Sequence, residues 1–472
     1  MRRPIVLILA ATACSSGRPG NGAAGEGGSA GAIVRPSSGG MTGLAGASAA
    51  GGTLAAGGAL AMSAGAGTGA NATTGGVASA SGGAAAASAG GTGGSAGGAG
   101  GSAGASALGT PAGGTPDAGS ETDAGDASSA SGHVVGTMRI EVTGPSNRTL
   151  PVQLWYPAVE SARAASIAAR SVSEFEPPGA NRDTLTMLMA SAPDECMSKV
   201  QHAAPSPEPL PSSTAFPVVI MSHCHSGVRF AMFSAAERLA QDGFVVVAPD
   251  HVGDTIYEQA ANTPGPLSAD ELVLRKNDLM KVLDTVFDAT STSVPPGLRG
   301  KLDPARVGLV GHSMGSITAG LETWSDPRIK ASVFTASPPT FPLLSSAVLA
   351  DFKPPALFFY ATEDNNLPTA VNDIIKSDYM TYPKEAWLAE VADAGHWSFT
   401  DILGIFPGMP GCGTAMRQTE PTVSFKYLDP VVARELTVRY VSAFFERTLL
   451  HLPGADLDHA TPVAVVTLGH HP

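Results

Sequence analysis

The sequence predicts an α/β fold in which a mostly parallel, eight-stranded sheet carries helices on both faces. After residue 132, a Gly-, Ala- and Ser-rich composition changes to apolar runs that alternate with amphipathic segments. Most of these runs are continuous, as in strands that helices cover on both sides. A Gly-x-Ser-x-Gly pentapeptide separates one apolar run from a helical pattern, and such a strand-to-helix turn is typical of this fold class.

The predicted strands form an antiparallel pair followed by six apolar runs, at 138–142, 150–156, 216–222, 244–248, 306–310, 331–335, 356–360 and 386–391. The predicted helices lie between and after them, at 230–241, 269–289, 316–324, 369–377 and 430–450. Two long, Pro-rich stretches remain, at 160–213 and 397–427. Loops of this length inside a compact domain are usually lids or binding loops, so we expect both to be lid-like.

The chain is acidic, with 472 residues, 4 Cys and a formal net charge of -13 at pH 7. No cluster of lysine and arginine forms a face that could bind phosphates, so we expect no nucleic-acid partner.

The N-terminus resembles a bacterial lipoprotein signal. Arg2 and Arg3 precede a short apolar run at 5–11, and small residues then lead to Cys14. The run is too short to span a bilayer as a helix. In such signals cleavage precedes the cysteine, which then carries acyl chains, so Cys14 is the predicted lipidation site. Position 11 is Ala where Leu is usual, and an ordinary secretory signal is the alternative interpretation.

Three segments are therefore predicted: a signal peptide at 1–13, a tether at 14–132 and a catalytic domain at 133–472. The tether consists mainly of Gly, Ala, Ser and Thr, with scattered Asp and Glu near its end. Such a composition lacks the large apolar side chains whose burial offsets backbone ordering, so we expect this segment to be disordered. The predicted location of the domain is the cell envelope, at the outer membrane or cell surface, held by the lipid anchor only.

Ser313 is the candidate nucleophile, in the pentapeptide Gly-His-Ser-Met-Gly at 311–315. The apolar run before it and the helical pattern after it predict a nucleophile elbow, which exposes the serine hydroxyl beside free N–H groups of a helix start. Three Gly-Gly-Ser-Ala-Gly segments match the same pattern without this context, at 27–31, 93–97 and 100–104. The alternative for Ser313 is a small-residue turn without chemistry.

A serine nucleophile needs a base to accept its proton and an acid to orient the base. In folds with such an elbow, the chain order is serine, acid, histidine. Asp364 follows the predicted strand 356–360, and His396 follows 386–391, so both lie at the edge where the elbow opens. Glu363 is an alternative acid, Asp364 could instead cap the next helix, and His396 could be a surface loop residue.

The tetrahedral intermediate of acyl transfer needs two N–H donors. The residue after the nucleophile, Met314, supplies one from its backbone. The second comes from the loop after the strand 216–222, where the backbone N–H of His225 is the candidate.

Several side chains near His225 are of types that also bind metals, namely His223, Cys224, His251 and Asp254. They mix soft and hard ligands without the spacing of a known zinc motif. We therefore predict no metal site here.

Three segments together resemble the α/β-hydrolase superfamily, at 217–223, 238–251 and 311–315. Within it, the sequence is similar to the platelet-activating-factor acetylhydrolase and dienelactone-hydrolase-like esterases. The tetrapeptide Leu-Trp-Tyr-Pro at 154–157 is similar to the opening strand of that group. The resemblance extends over residues 136–450 and implies a hydrolase of the α/β-hydrolase fold.

The sequence departs from this group at two places. Cys224 stands where the acetylhydrolases usually have glycine in the oxyanion loop. Those enzymes also take their acid from the loop after the strand that follows the elbow helix, but here that loop, 336–340, has no carboxylate. The acid is therefore expected at Asp364, as in dienelactone hydrolases. Dienelactone hydrolases carry a cysteine nucleophile, whereas this chain has Ser313.

Three cysteines remain if Cys14 is lipidated, so one of them is unpaired or paired between chains. Cys196 and Cys412 lie in the two lid-like stretches, and we predict a disulfide between them in an oxidising compartment. Pairing of Cys224 with either one stays open.

The sequence thus predicts an exported serine esterase that cleaves carboxylic esters through an acyl-enzyme without a cofactor. Short-acyl phospholipids and polyesters are alternative substrates to simple esters. The alternative function is a non-catalytic surface binding module on the same fold, which the long tether would also suit.

Overall fold

The structure, a computed structural model, describes residues 132–342, 344–453, 457 and 465–472. The predicted signal peptide, Cys14 and all but the last residue of the predicted tether lie outside these residues.

Strands and helices alternate along the described chain. The strands are β1 (Val134–Thr143), β2 (Thr149–Ala158), β3 (Arg170–Ser171), β4 (Val200–Gln201), β5 (Ala204–Pro205), β6 (Phe216–Ser222), β7 (Val245–Pro249), β8 (Leu302–His312), β9 (Ile329–Thr335), β10 (Ala356–Ala361), β11 (Ala386–Val391), β12 (Thr414–Met416), β13 (Ser424–Lys426) and β14 (Val466–His471). The α-helices are α1 (Arg163–Ser166), α2 (Ala180–Ser191), α3 (Phe233–Gln241), α4 (Ile256–Ala260), α5 (Ala269–Phe287), α6 (Met314–Ser325), α7 (Thr369–Met380) and α8 (Pro430–Leu449). None of these helices is both long enough and apolar enough to cross a membrane.

Ten of the strands form one sheet in the order β14-β11-β10-β9-β8-β6-β7-β2-β1-β5. Strands β6 to β11 run parallel to their neighbours in this group. The β1–β2 hairpin joins β7 in antiparallel fashion, and β14 joins β11 in the same way. The sheet is therefore mostly parallel at its centre and antiparallel towards its edges.

Side chains of the parallel strands alternate between two hydrophobic cores, because successive residues of a strand face opposite sides of the sheet. Val219 packs into one core with α3 and α8, whereas Val218 and Ile220 pack into the other with α5 and α7. Burial on both faces explains why these strands are continuous apolar runs in the sequence.

The chain direction across the sheet reverses beside β6, whose neighbours are β7 on one side and β8 on the other. The loops after β6 and β8 therefore leave the same edge of the sheet in opposite directions. A crevice opens at such a switch point, and ligands of open α/β sheets bind there. Both loops contain predicted site residues.

All eight predicted strands are present, but the sheet has ten strands rather than eight. The additional strands are the two-residue β5 and the C-terminal β14, one at each edge. The sequence of β14 ends in Gly-His-His and lacks the apolar run of a buried strand. An edge strand is exposed on one side, so its pattern is weak.

The stretches 160–213 and 397–427 are more ordered than lid-like loops. The first contains the helix α2 and the short paired strands β3 and β4, and the second contains the hairpin of β12 and β13. The helix α2 has polar residues scattered over much of its surface, so the helical spacing of its apolar residues is hard to recognise in the sequence. The predicted helix at 230–241 begins instead at Phe233.

An acidic side chain, Glu322 of α6, is completely buried. Burial, together with the nearby negative charge of Asp326, raises the pKa of the Glu322 carboxyl from 4.5 to about 9. The folded protein therefore holds a proton that the unfolded chain releases above about pH 4.5. Stability should fall as the pH rises from that value towards 9, because the unfolded state binds fewer protons.

We predict that Glu322→Gln removes this part of the pH dependence, since glutamine has nearly the same shape and releases no proton. The stability difference between variant and native protein should grow with pH, by up to about 1.4 kcal/mol per pH unit. Urea denaturation at pH 5 and pH 8 measures it. Glu195→Gln is the same change at an exposed position. It should leave the slope of the free energy of unfolding against pH as in the native protein. An identical slope in Glu322→Gln and the native protein would show that the carboxyl is ionised in the fold.

Candidate active site

Ser313 occupies a sharp turn between β8 and α6. Its backbone has φ 57° and ψ -120°, a conformation that L-residues rarely adopt. The two glycines of the pentapeptide make the turn possible. A Cβ on Gly311 would lie 2.1 Å from the carbonyl oxygen of Gly315, and a Cβ on Gly315 would lie 2.1 Å from the carbonyl oxygen of Ser222. Any side chain at either position would force the backbone segments apart.

The structure brings Ser313, His396 and Asp364 into one hydrogen-bonded chain. Nε2 of His396 lies 2.8 Å from Oγ of Ser313, and Nδ1 of His396 lies 2.7 Å from Oδ2 of Asp364. A carboxylate can only accept, so Nδ1 carries the proton and Nε2 accepts the serine hydroxyl. The histidine and the aspartate are both buried, whereas Ser313 is partly exposed. The hydroxyl is thus the member of the chain that solvent can reach.

Backbone N–H groups hold the Asp364 side chain in place. Its Oδ1 accepts hydrogen bonds from the N–H of Asn366 at 3.0 Å and of Leu367 at 2.6 Å. The N–H of His396 also donates to the carbonyl oxygen of Asp364 at 3.1 Å. The carboxylate is therefore fixed on the loop after β10 and leaves Oδ2 for the imidazole.

Glu363, the alternative acid, is directed elsewhere. Its carboxylate accepts from Nη1 of Arg417 at 2.6 Å and from the N–H of Gln418 at 2.7 Å. It joins the acid loop to the β12–β13 hairpin. Of these two adjacent acids, Asp364 is therefore the one that contacts His396.

A second imidazole, His312, packs beside the first. Its ring centroid lies 5.3 Å from that of His396 and 5.6 Å from that of Trp397. Burial, and then the neighbouring His396, lower the pKa of His312 well below its ordinary value. Nδ1 of His312 lies 2.9 Å from Oγ1 of Thr335, whose hydroxyl donates to the carbonyl oxygen of Gly311. His312 is therefore a neutral donor to Thr335 and forms one wall beside His396.

The two candidate oxyanion donors lie in adjacent segments. Met314 begins α6, and His225 lies three residues beyond the end of β6. The close approach of Gly315 to the carbonyl oxygens of Ser222 and His223 holds these segments together. Within the part of the chain that the structure describes, the N–H groups of Met314 and His225 have no hydrogen-bond acceptor. Both are free to receive an acceptor atom.

The histidines of the candidate metal cluster are bonded to protein groups. His223 donates from Nδ1 to the carbonyl oxygen of Cys224 at 2.7 Å and accepts at Nε2 from the N–H of His251 at 3.0 Å. His251 lies between Oγ of Ser222, 3.0 Å from Nε2, and Oδ2 of Asp278, 3.1 Å from Nδ1. Burial lowers the pKa of both histidines well below the ordinary value. Among the described residues no group of three or more His, Cys, Asp or Glu is arranged to hold a metal ion.

Cys196 and Cys412 form a disulfide, with Cα atoms 5.7 Å apart. Cys224 is a free, buried cysteine, and burial raises the pKa of its thiol to about 12. The segment before Cys412 packs on the loop that carries His396. A Cβ on Gly395 would lie 2.5 Å from Cα of Gly411, and the N–H of Trp397 donates to the carbonyl oxygen of Pro410. The disulfide therefore ties the segment after α2 to the histidine loop.

Comparisons with known proteins agree with the sheet order and the elbow, which define an α/β-hydrolase. The family model "Dienelactone hydrolase family" matches residues 208–402, and "Platelet-activating factor acetylhydrolase, isoform II" matches residues 125–263. The first range contains Ser313, Asp364 and His396.

One solved structure shows the same fold, and a second is a weaker match. A ferulic acid esterase from Streptomyces cinnamoneus superposes with a TM-score of 0.52 at 21% sequence identity, over 71% of this chain and 95% of that chain. A Klebsiella pneumoniae subsp. pneumoniae protein assigned to the dienelactone hydrolases has a TM-score of 0.40 and 12% identity, over 67% of this chain and all of its own (100%). Over these matched residues the present chain is similar to the dienelactone hydrolase and platelet-activating-factor acetylhydrolase families, and it is a carboxylic ester hydrolase of the α/β-hydrolase fold.

Two buried charges near the site, Arg275 and Asp278, are not among the residues that the sequence predicts for it. Arg275 and Asp278 of α5 are completely buried, and Asp254 beside them is buried as well. The sequence contains a signal, because both α5 residues fall on the apolar stripe of this helix with Leu272 and Leu279. Two opposite charges on a buried stripe indicate partners elsewhere in the fold.

We predict that replacing both bridged cysteines with serine lowers the free energy of unfolding by about 3 to 5 kcal/mol, because the bridge closes a long loop in the unfolded chain. The sequence separation of the two cysteines is 216 residues. Ester hydrolysis should also fall, because the histidine loop loses its covalent support. Urea denaturation and kinetics of the variant measure both effects, with reduced native protein as the matched control. Equal stability of oxidised native protein and variant would contradict the prediction.

Proposed function

We propose that Ser313, His396 and Asp364 form a catalytic triad that hydrolyses carboxylic esters through an acyl-enzyme. The unbroken hydrogen-bonded chain from the Ser313 hydroxyl to the Asp364 carboxylate carries this proposal. Each member lies at the carboxyl end of a different parallel strand, so the rigid sheet supports all three.

The geometry supports a specific first step. His396 accepts the Ser313 proton at Nε2 while Oγ attacks the carbonyl carbon of the ester, and the carbonyl π electrons move to its oxygen. Asp364 accepts from Nδ1, which keeps the imidazole in the required tautomer and stabilises the imidazolium that forms. Burial strengthens this charge interaction because little water screens it.

The developing oxyanion would accept hydrogen bonds from the N–H groups of Met314 and His225. The first belongs to the start of α6, where helix N–H groups lack internal partners and the helix dipole favours negative charge. Preorganised donors of this kind cost no reorganisation during the reaction, which is why they are a large term in acyl transfer.

To complete acylation, the imidazolium gives its proton to the leaving alcohol, and the acyl group stays on Oγ of Ser313. Deacylation then repeats these steps with water in place of the serine hydroxyl. His396 then accepts a proton from water as the hydroxide attacks the acyl carbon, and Ser313 leaves with that proton. The products are the alcohol and the carboxylic acid, and the residues named supply every proton transfer.

Short-acyl phospholipids are a second substrate class to test, because the acetylhydrolase model matches the segment that includes the oxyanion loop. Polyesters are a third. Initial rates on 4-nitrophenyl esters of increasing chain length, on a 2-acetyl phospholipid and on a polyester film distinguish the three classes.

We predict that Ser313→Ala lowers kcat on 4-nitrophenyl esters by roughly 10⁴- to 10⁶-fold, because the triad acts as a unit. His396→Ala should lose a comparable amount, and Asp364→Asn about 10³- to 10⁴-fold. Circular dichroism should show native folding for Ser313→Ala, because this side chain is partly exposed.

Glu363→Gln is the matched control for Asp364→Asn, since it makes the same chemical change one residue away. Glu363 contacts Arg417 and Gln418 rather than His396, so the rate should stay within about tenfold of native. A large loss in Glu363→Gln with normal rates in Asp364→Asn would assign the acid to Glu363. Native rates in Ser313→Ala would overturn the mechanism.

We propose further that the enzyme is exported and anchored in the cell envelope through lipid chains on Cys14. The support is the order of charged residues, apolar run, small residues and cysteine at the N-terminus. Two or more acyl chains are needed for lasting anchorage.

Cys14→Ala should therefore move the protein from the membrane fraction to the soluble fraction, without a change in kcat of the catalytic domain. Immunoblots of fractionated cells measure the distribution. Full retention of Cys14→Ala in the membrane fraction would contradict the lipid anchor.

A further inference from the structure

A buried ion pair lies directly behind the oxyanion loop, residues 223–227, which carries His225. Arg275 on α5 and Asp254 in the loop after β7 are both buried, and Nη1 of Arg275 lies 2.5 Å from Oδ2 of Asp254. Burial alone would raise the pKa of Asp254, but contact with His225 and the charge of Arg275 lower it to about 2. We call this pair the Arg275–Asp254 clamp.

The clamp holds consecutive residues of the oxyanion loop from one side. Arg275 donates from Nη2 to the carbonyl oxygen of His223 and from Nη1 to that of Cys224, the latter at 3.4 Å. Oδ1 of Asp254 accepts from the N–H of Ser226 at 2.8 Å. It also lies 2.7 Å from Nδ1 of the intervening residue, His225. Every residue from 223 to 226 is therefore in contact with one of the two charges.

These contacts determine the orientation of the peptide between Cys224 and His225. The carbonyl oxygen of Cys224 accepts from Arg275, from Nδ1 of His223 at 2.7 Å and from the N–H of Gly227 at 3.1 Å. In a planar trans peptide the N–H points opposite to the carbonyl. The N–H of His225 therefore faces away from the Arg275 guanidinium.

We propose that the Arg275–Asp254 clamp positions the backbone N–H of His225 as the second oxyanion donor. The inference rests on the proposed acyl-enzyme mechanism and adds the residues that hold its oxyanion loop. A rotation of the Cys224–His225 peptide would remove the donor, and it would first have to break the hydrogen bonds at the Cys224 carbonyl. The positive charge beside that carbonyl also polarises the peptide, which strengthens its N–H as a donor. Arg275 and Asp254 are thus positioning residues that do not touch the substrate.

Arg275→Lys tests the clamp. Lysine keeps the positive charge for Asp254, but a single ammonium group replaces the planar fork that reaches two carbonyl oxygens. We measure kcat and KM per active site on a 4-nitrophenyl ester, with sites counted by endpoint titration with a fluorophosphonate. We also measure inhibition by phenylboronic acid, whose tetrahedral adduct on the serine mimics the oxyanion. We expect kcat per site to fall by about 10²-fold, as for loss of one oxyanion donor. KM should change by less than about twofold, and boronate affinity should fall with kcat.

Arg229→Lys is the matched control, because Arg229 is also fully buried and paired with carboxylates, Glu176 and Asp250. Its side chain donates to Phe175 rather than to residues 223–226. We expect lower stability in this control with native kcat per titrated site. Arg275→Lys with native kcat per site and only a lower Tm would overturn the positioning role.

If Arg275→Lys does not fold, the double variant Arg275→Gln/Asp254→Asn is used instead, because it buries no charge. The amide at position 275 is shorter than the guanidinium and cannot reach both carbonyl oxygens. The same loss of kcat and boronate affinity supports the clamp, and native values overturn it. Failure of the underlying mechanism is distinguishable, since native protein would then not react with the fluorophosphonate at Ser313.

Discussion

Backbone-to-backbone contact at Gly311 and Gly315 is the constraint on which the site depends. The two glycines let the elbow fold on itself and against the end of β6, with no room for a Cβ at either position. This contact sets the spacing between the nucleophile and the oxyanion loop. A conformation such as that of Ser313 costs about 1 to 3 kcal/mol and persists only where its surroundings enforce it. The N–H of Ser313 donates to the carbonyl oxygen of Thr335 in β9 at 2.9 Å, so the sheet itself helps to enforce this conformation.

Buried charges provide a second layer of support around this contact. The Arg275–Asp254 clamp lies behind the oxyanion loop, and Arg229 ties Glu176 of the segment before α2 to Asp250 after β7. Burying an ion pair is costly, and apolar residues of similar volume often stabilise a core at least as well. Here the guanidinium groups also bind backbone carbonyls of loops that have no strand partner. The contribution we infer for Arg275 is the position of the oxyanion loop, whereas Arg229 contributes to stability.

The sequence predicted the central strands and the order of the proposed triad because these depend on local rules. Continuous apolar runs report burial on both faces, and Asp364 and His396 follow such runs directly. Glu363 and Asp364 are adjacent in the sequence, and the contacts that distinguish them, with Arg417 and His396, are visible only in the structure. The helix α2 and the edge strand β14 escaped prediction because their residues are only partly buried. The Arg275–Asp254 clamp was not predicted, because it joins two elements whose packing against each other cannot be read from the sequence.

In the proposed mechanism, Ser313 carries the acyl group during turnover. Rapid mixing with 4-nitrophenyl butyrate, an acid quench after milliseconds and mass spectrometry of the peptides test it directly. We expect a butyryl adduct on Ser313, formed within the burst of nitrophenol release and lost as hydrolysis proceeds. A burst whose adduct lies on another residue would contradict it, as would turnover without any covalent intermediate under conditions where deacylation is slowed by low temperature.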